Sequence, residues 1–151
     1  MDSGDPFRLI DVLSSHKVPL VIIGGRAVTY HGYVRATEDT DIVFLRTATS
    51  EAALLVALQQ LSACWISDEV DPGTALERTV PVTREYIHAN RLMMLVTDSG
   101  FLDIFDYIPG CPDEAVEADG KTFASLDWLR RMKQASGRPK DAIDLQNLPG
   151  E

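Results

Sequence analysis

Asp39 and Asp41 stand two residues apart at the head of an apolar run, and Asp103 interrupts the apolar row of Phe101, Phe105 and Tyr107. In an extended chain, residues i and i+2 project from one face about 6.6 Å apart, so the first two carboxylates point together, in line with Val43 and Leu45. Burying one unpaired carboxylate costs several kcal/mol, and gathering three multiplies that cost through mutual repulsion unless cations occupy the site. Such a cluster suits two tasks, holding divalent ions through oxygen donors and taking a proton from a reacting group. Each acid also has a plainer role open to it. Asp39 can cap a turn, Asp41 can pair with Arg35 or Arg26, and Asp103 can lie on an exposed sheet face.

Gly24 and Gly25 close the apolar stretch Val18 to Ile23. Where a strand ends in glycines and a helix begins, backbone N–H groups are free to receive phosphate, and the missing Cβ permits close approach. The pair fits neither GxGxxG nor the P-loop, since no Gly-Lys-Ser/Thr follows, and a tight turn is its simplest use.

The elements that must position these residues follow from periodicity. Asp5 and Pro6 read as the cap and first residue of a helix that carries Phe7, Ile10 and Leu13 to about Ser15. Val18 to Ile23 is a buried strand, Arg26 to about Tyr30 a short helix stopped by Gly32, and Thr40 to Arg46 a strand apolar on both faces, hence central. Ser50 is expected to cap the helix EAALLVALQQL. The stretch from Ala63 to Val82 has no assignable period, with a loop at Asp71, Pro72 and Gly73. Thr83 caps one short turn, and RLMMLVT, DSG and FLDIFDYI form a hairpin closed by Pro109 and Gly110. Ser125 starts a helix that Gly137 ends, and Pro139 opens a last helix. Alternating helices and strands with one antiparallel hairpin imply an α/β (α+β) fold, a mixed twisted sheet flanked by helices. One domain over 1–151 is expected, with its core over about 18–108 and a C-terminal helix pair over about 125–148.

A formal charge of −9 disfavours broad nucleic-acid binding by net charge. The charge is uneven, however. Asp98 to Asp119 holds seven acids and no base, whereas Lys121 to Lys140 holds six bases and one acid, Asp127, a local cationic patch on an acidic whole. Cys64 and Cys111 form no metal-binding pattern and suit a reducing compartment, and the longest apolar run, Ala52 to Leu58, is far too short to span a membrane. The expectation is a soluble cytoplasmic protein without a membrane partner. His16, His31 and His88 lack the spacing of a zinc site, and no Ser or Cys lies in a nucleophile elbow.

Ile23-Gly24-Gly25, thirteen intervening residues and then Asp39-Thr40-Asp41-Ile42 resemble the signature of the DNA polymerase beta-like nucleotidyltransferase superfamily, with a spacer at the long end of its range. GGRAVTYHGYVRATEDTDI is similar to the opening of small stand-alone bacterial members, the AbiEii-like toxin nucleotidyltransferases and the aminoglycoside and lincosamide nucleotidyltransferases. TDSGFLDIF resembles the strand that brings their third acid, and SLDWLRRMKQASGRPKDAIDL their C-terminal helix pair. Thr40 departs from the pattern, which has a bulky apolar residue there. The resemblance implies transfer of a nucleoside monophosphate from a nucleoside triphosphate, ATP among the candidates, to a hydroxyl. Asp39, Asp41 and Asp103 would hold two Mg2+ ions, and Asp103 would also accept the hydroxyl proton. Gly24 and Gly25 would hold the outgoing phosphates. Arg35 would contact phosphate or neutralise the acids. Lys133 would point toward the nucleotide or else snorkel at the surface, and Arg138 and Lys140 would contact the nucleotide or clasp Asp141 and Asp144. An RNA 3′ end or a protein hydroxyl fits the toxin-like resemblance, with an antitoxin protein as a possible cognate partner. A small antibiotic acceptor and a non-catalytic nucleotide-binding or partner-binding module are the alternatives.

Overall fold

The computed structural model describes residues 7–33, 39–70, 73, 77–106 and 111–149. Arg35, Tyr107 and the expectations placed on Asp5-Pro6, Asp71-Pro72 and Pro109-Gly110 lie outside these residues. The described strands are β1 (Leu20–Ile23), β2 (Asp39–Phe44), β3 (Cys64–Val70), β4 (Glu77–Pro81), β5 (Met93–Thr97), β6 (Gly100–Phe105), β7 (Val116–Ala118) and β8 (Lys121–Phe123). They form one mixed sheet in the order β4-β3-β5-β6-β2-β1-β8-β7. The β2–β6 and β1–β8 pairs are parallel and the others antiparallel. The helices are α1 (Arg8–Ser15), α2 (Gly24–Tyr30), α3 (Ala48–Gln60), α4 (Arg84–Ala89), α5 (Leu126–Ser136) and α6 (Pro139–Asn147). None of the described helices is long and apolar enough to cross a membrane.

β2 is interior to the sheet, as its apolar content requires. Ile42, Val43 and Phe44 are completely buried although successive side chains face opposite ways, so both faces of its second half are covered. The same core takes in Leu102 and Ile104 of β6, Met93 and Leu95 of β5, and Leu54 and Leu58 of α3. Just past the end of β2, the Arg46 guanidinium donates to Glu51 and to the Ile87 carbonyl, each at 2.6 Å, to the Asn90 carbonyl at 2.8 Å and to Asp106 at 3.4 Å. Glu51 is held below its ordinary carboxylate range by that Arg46 hydrogen bond and by His88, against the opposing effect of burial. Because Asp106 directly follows β6, this network pins the ends of the two parallel strands together and thereby supports their register.

Two local expectations are corrected. Ser50 is not the cap of α3. Thr47, extended at φ −141°, accepts from the Ser50 N–H at 2.9 Å while Ser50 Oγ accepts from the Thr47 N–H at 2.6 Å, a reciprocal capping box that starts the helix earlier. The unassigned stretch after Ala63 holds β3 and β4, whose polar interruptions suit the end of the sheet where only one face is covered. β7 and β8 also went unrecognised, although Asp119-Gly120 between them is a two-residue hairpin turn with φ of 52° and 76°. Elsewhere the local signals hold. Thr83 and Ser125 accept from the backbone N–H groups of Tyr86 and Trp128, and Gly137 ends α5 in the left-handed conformation at φ 65°.

Candidate functional site

Strand register brings the chemistry-bearing residues into one row across the sheet. Ile23 of β1 is paired with Asp41 of β2, Asp41 with Asp103 of β6, and Asp103 with Met94 of β5. Paired residues share a face, so Asp41 and Asp103 project side by side from neighbouring parallel strands. Asp39 lies one pleat along the same face, opposite Phe101. Two carboxylates far apart in sequence are adjacent because β6 inserts beside β2 in parallel, a pairing that no local pattern could announce.

The Asp41 carboxyl is pushed up to about 6, first by burial, then by the charge and hydrogen bond of Asp103 and the charge of Asp39, with Lys140 opposing. Asp103 is also raised, by burial and by Asp39, while its hydrogen bond with Asp41 and the charges of Lys140 and Arg138 act in the other direction. Asp41 therefore holds a proton more readily than an ordinary carboxyl. Its Oδ1 oxygen is buried with no hydrogen-bond partner. Among the described residues no three His, Cys, Asp or Glu side chains already close around a single metal ion. The acids are arranged as an adjacent pair with a third charge in its field.

The glycine pair presses directly on this pair. Gly24 has φ +66°, and a Cβ built there would fall 2.9 Å from Asp41 Cγ, closer still to Oδ2. Only glycine leaves this backbone both unstrained and clear of the carboxylate. Gly25 is buried just behind it at the start of α2. Thr40, the departure from the apolar pattern, faces away from the acids, is fully buried and accepts from Arg26 Nε at 3.1 Å.

The cations distribute only in part as the sequence suggests. Lys133 is neither a surface lysine nor aimed at the acid pair. Its Nζ is buried between Asp141 at 3.2 Å and Asp144 at 3.0 Å, joining α5 to α6. Arg138 closes the same clasp on Asp141 at 2.9 Å. Burial alone would raise the Asp141 carboxyl, but hydrogen bonds from Arg138, Ser136 and Lys133 outweigh it and hold it far below the ordinary range. A cation whose charge reaches both members of the acid pair is Lys140. Asp141, its immediate neighbour, does not share its helix face, and Lys133 already sits on both Asp141 and Asp144. With Asp141 and Asp144 turned inward, Lys140 is exposed on another side, where its charge is felt by Asp41 and Asp103. The rest of the cationic patch is largely neutralised: Lys121 meets Asp11 at 3.8 Å and Arg131 meets Asp127 at 2.8 Å.

No family model and no curated protein matches the chain. Solved structures do. The antibiotic-resistance factor ANT(2″)-Ia aligns over 97% of this chain and 83% of its own, with a TM-score of 0.59 and 18% identity. A candidate nucleotidyltransferase from Thermotoga maritima aligns over 92% and 86%, with a TM-score of 0.51 and 16% identity. The chain has the nucleotidyltransferase fold. A crystal structure of ANT(2″)-Ia contains adenylyl-2″-tobramycin, and the present chain covers 92% of itself and 82% of that protein at a TM-score of 0.56 and 15% identity. JHP933 from Helicobacter pylori aligns over 95% of this chain at a TM-score of 0.52 and 15% identity, and the chain spans only 64% of that protein's length. The nucleotidyltransferase fold agrees with the expected α/β class and with the resemblance carried by the glycine and aspartate motifs.

Proposed function

We propose that the chain transfers a nucleoside monophosphate from a nucleoside triphosphate to a hydroxyl, releasing pyrophosphate. The observation that carries this reading is the row from the Gly24 turn through Asp41 to Asp103, in which two registered carboxylates lie side by side beside a turn that tolerates no side chain. The donor set fits magnesium. It consists of oxygens, Asp41 Oδ1 is buried without a partner, and magnesium bound with a nucleotide takes one or two carboxylates and completes its shell with phosphate and water. A closed three-ligand cage is therefore not required. Asp39, Asp41 and Asp103 would hold two ions, which when bound supply neutralisation of charge at the entering and leaving oxygens.

The chain's own groups have distinct tasks in this scheme. Asp103, raised by burial, takes the proton of the attacking hydroxyl as its oxygen bonds to the α-phosphorus. The bond from that phosphorus to the bridging oxygen breaks, and pyrophosphate leaves with the electron pair. Backbone N–H groups of Gly24 and Gly25 receive the departing phosphates, with Lys140 supplying positive charge nearby and Arg35 a further phosphate contact. Lys133 acts at one remove, as the positioning residue whose clasp on Asp141 and Asp144 sets α6, and so Lys140, against the acids.

Calorimetry of each magnesium nucleotide, followed by labelling of a cell extract with each α-labelled nucleotide, tests the reading. Wild type should bind at least one of the four and label a macromolecule or small molecule. Asp103→Asn should still bind nucleotide and lose labelling by roughly 10²-fold or more. Wild type that binds no magnesium nucleotide overturns the proposal. Among acceptors, an RNA 3′ end or a protein, with an antitoxin partner, rests on the toxin-like resemblance, and four of the six bases of the patch that would dock it are engaged in ion pairs.

A further inference from the structure

Beyond Asp103 the row of paired residues continues into a groove of about 610 Å³ whose lining includes Asp39, Asp103, Ile66, Leu92, Met94 and Phe101. These last four are 44% to 63% exposed, Met94 the most, and make up half of the large hydrophobic side chains that the described residues expose. The opposite face of the same strands is buried: Met93, Leu102 and Ile104 are all inaccessible. The stacked Trp65 and Tyr86 rings, 5.1 Å apart, also line the groove. Among the described residues Asp39 and Asp103 are its only charged lining residues.

Resting on the transferase reading above, we infer that this groove receives the body of the acceptor, and that the acceptor is a small uncharged hydroxyl compound with an aromatic or aliphatic body. Direction comes first. In-line displacement puts the entering oxygen opposite the leaving phosphates. With the phosphates at the Gly24 turn on β1, the entering oxygen lies on the far side of Asp41, at Asp103 on β6, and the rest of the acceptor must extend over β5. The groove lies there. Chemistry comes second. A volume of this size takes a single small ligand, and mostly apolar walls with a few polar groups at one end suit a molecule gripped by its body and oriented by one hydroxyl. A polynucleotide would need cations along the groove, and none of the described lining residues is one. A polycation would need carboxylates beyond the two that magnesium would engage, and no others stand among the described lining residues. In the step itself, the acceptor oxygen gains the α-phosphorus, pyrophosphate leaves, and the hydroxyl proton passes to Asp103.

The test uses the full chain carrying 13C-methyl methionine, with magnesium and a non-hydrolysable α,β-methylene nucleotide bound. The probe is 2-(2-naphthyl)ethanol, compared with tobramycin and a short single-stranded RNA. The naphthyl alcohol should shift the Met94 methyl saturably and leave Met132 unmoved, and Phe101→Lys or Met94→Lys, both at exposed positions, should weaken its binding by about tenfold or more. With hydrolysable nucleotide it should gain one nucleotidyl group. No saturable shift, a Met94 shift produced by tobramycin or RNA in its stead, or a dimer in sedimentation that covers Met94, overturns the inference. Nucleotide binding is measured separately by calorimetry. If it is absent while the naphthyl alcohol still shifts Met94, the transferase reading fails and the acceptor assignment with it, whereas intact nucleotide binding without the shift defeats the groove assignment alone.

Discussion

Replacing Gly24 by Ala should separate the cost of backbone strain from the cost of crowding the carboxylate pair. A non-glycine residue in the left-handed region costs about 1–2 kcal/mol. Gly120 supplies the baseline, with φ +76° and no atom within 4 Å of an added Cβ. Gly120→Ala should therefore lower stability by about 1–2 kcal/mol, roughly 2–8 °C in Tm for a chain of this size. At Gly24 the same strain is joined by a Cβ only 2.9 Å from Asp41 Cγ, against about 3.5–4.0 Å for carbon atoms in contact. The gap can open only if the carboxylate or the turn retreats by roughly 0.6–1 Å. Asp41 is fixed by strand partners on both sides, so its carboxylate is displaced relative to Asp103. Overpacking of this kind adds about 1–3 kcal/mol, and misplacing a positioned group by about 1 Å costs on the order of 10²-fold in function. Urea denaturation and calorimetry of the magnesium nucleotide read the two effects. Gly24→Ala should be about 1–3 kcal/mol less stable than Gly120→Ala and bind nucleotide far more weakly, while Gly120→Ala binds it as wild type does. Equal losses of stability in the two variants, with nucleotide binding intact in Gly24→Ala, would refute the reasoning.

The raised Asp41 carboxyl predicts a stability that declines with pH in metal-free protein. Between 3.8 and about 6 the unfolded chain releases this proton while the folded chain keeps it. The penalty is absent below that range and reaches at most about 3 kcal/mol above it. Asp41→Asn should therefore be roughly 1–3 kcal/mol more stable than wild type near pH 7.5 in EDTA, and the gap should shrink toward about pH 4.5. A gap that stays constant with pH in a urea series refutes this. Lys133→Met removes the cation between two buried carboxylates and should destabilise by about 3–5 kcal/mol, visible as a Tm loss of roughly 6–20 °C. Lys140→Gln should leave Tm nearly unchanged yet raise the apparent carboxyl pKa values of Asp41 and Asp103 in an NMR titration, since its charge now opposes their rise. Unmoved titrations would mean that Lys140 does not face the acids.

Much of the local structure was legible because its causes are local. Two apolar runs around a DSG turn marked β5 and β6, hydroxyl caps marked α4 and α5, and Gly137 and Pro139 marked the break before α6. The misses were cases where local signals were mixed or overlooked. Thr47 competed with Ser50 for the cap of α3, β3 and β4 carry polar interruptions, and the Asp119-Gly120 turn sits within an acidic run that masks three-residue strands.

From composition and spacing alone came the identity of the chemistry-bearing residues: a glycine pair after an apolar strand, two acids on one face of a second strand, and a third acid in an apolar row. What only the tertiary structure decided is who meets whom. Parallel pairing of β2 with β6 put Asp103 beside Asp41. Packing of α5 on α6 drew Lys133 inward to Asp141 and Asp144, and left Lys140 in the field of the acids. The physical reason is range. Hydrogen bonds and steric limits within a few residues shape helices, strands and turns, whereas the contacts of a charged side chain depend on how distant segments share one core.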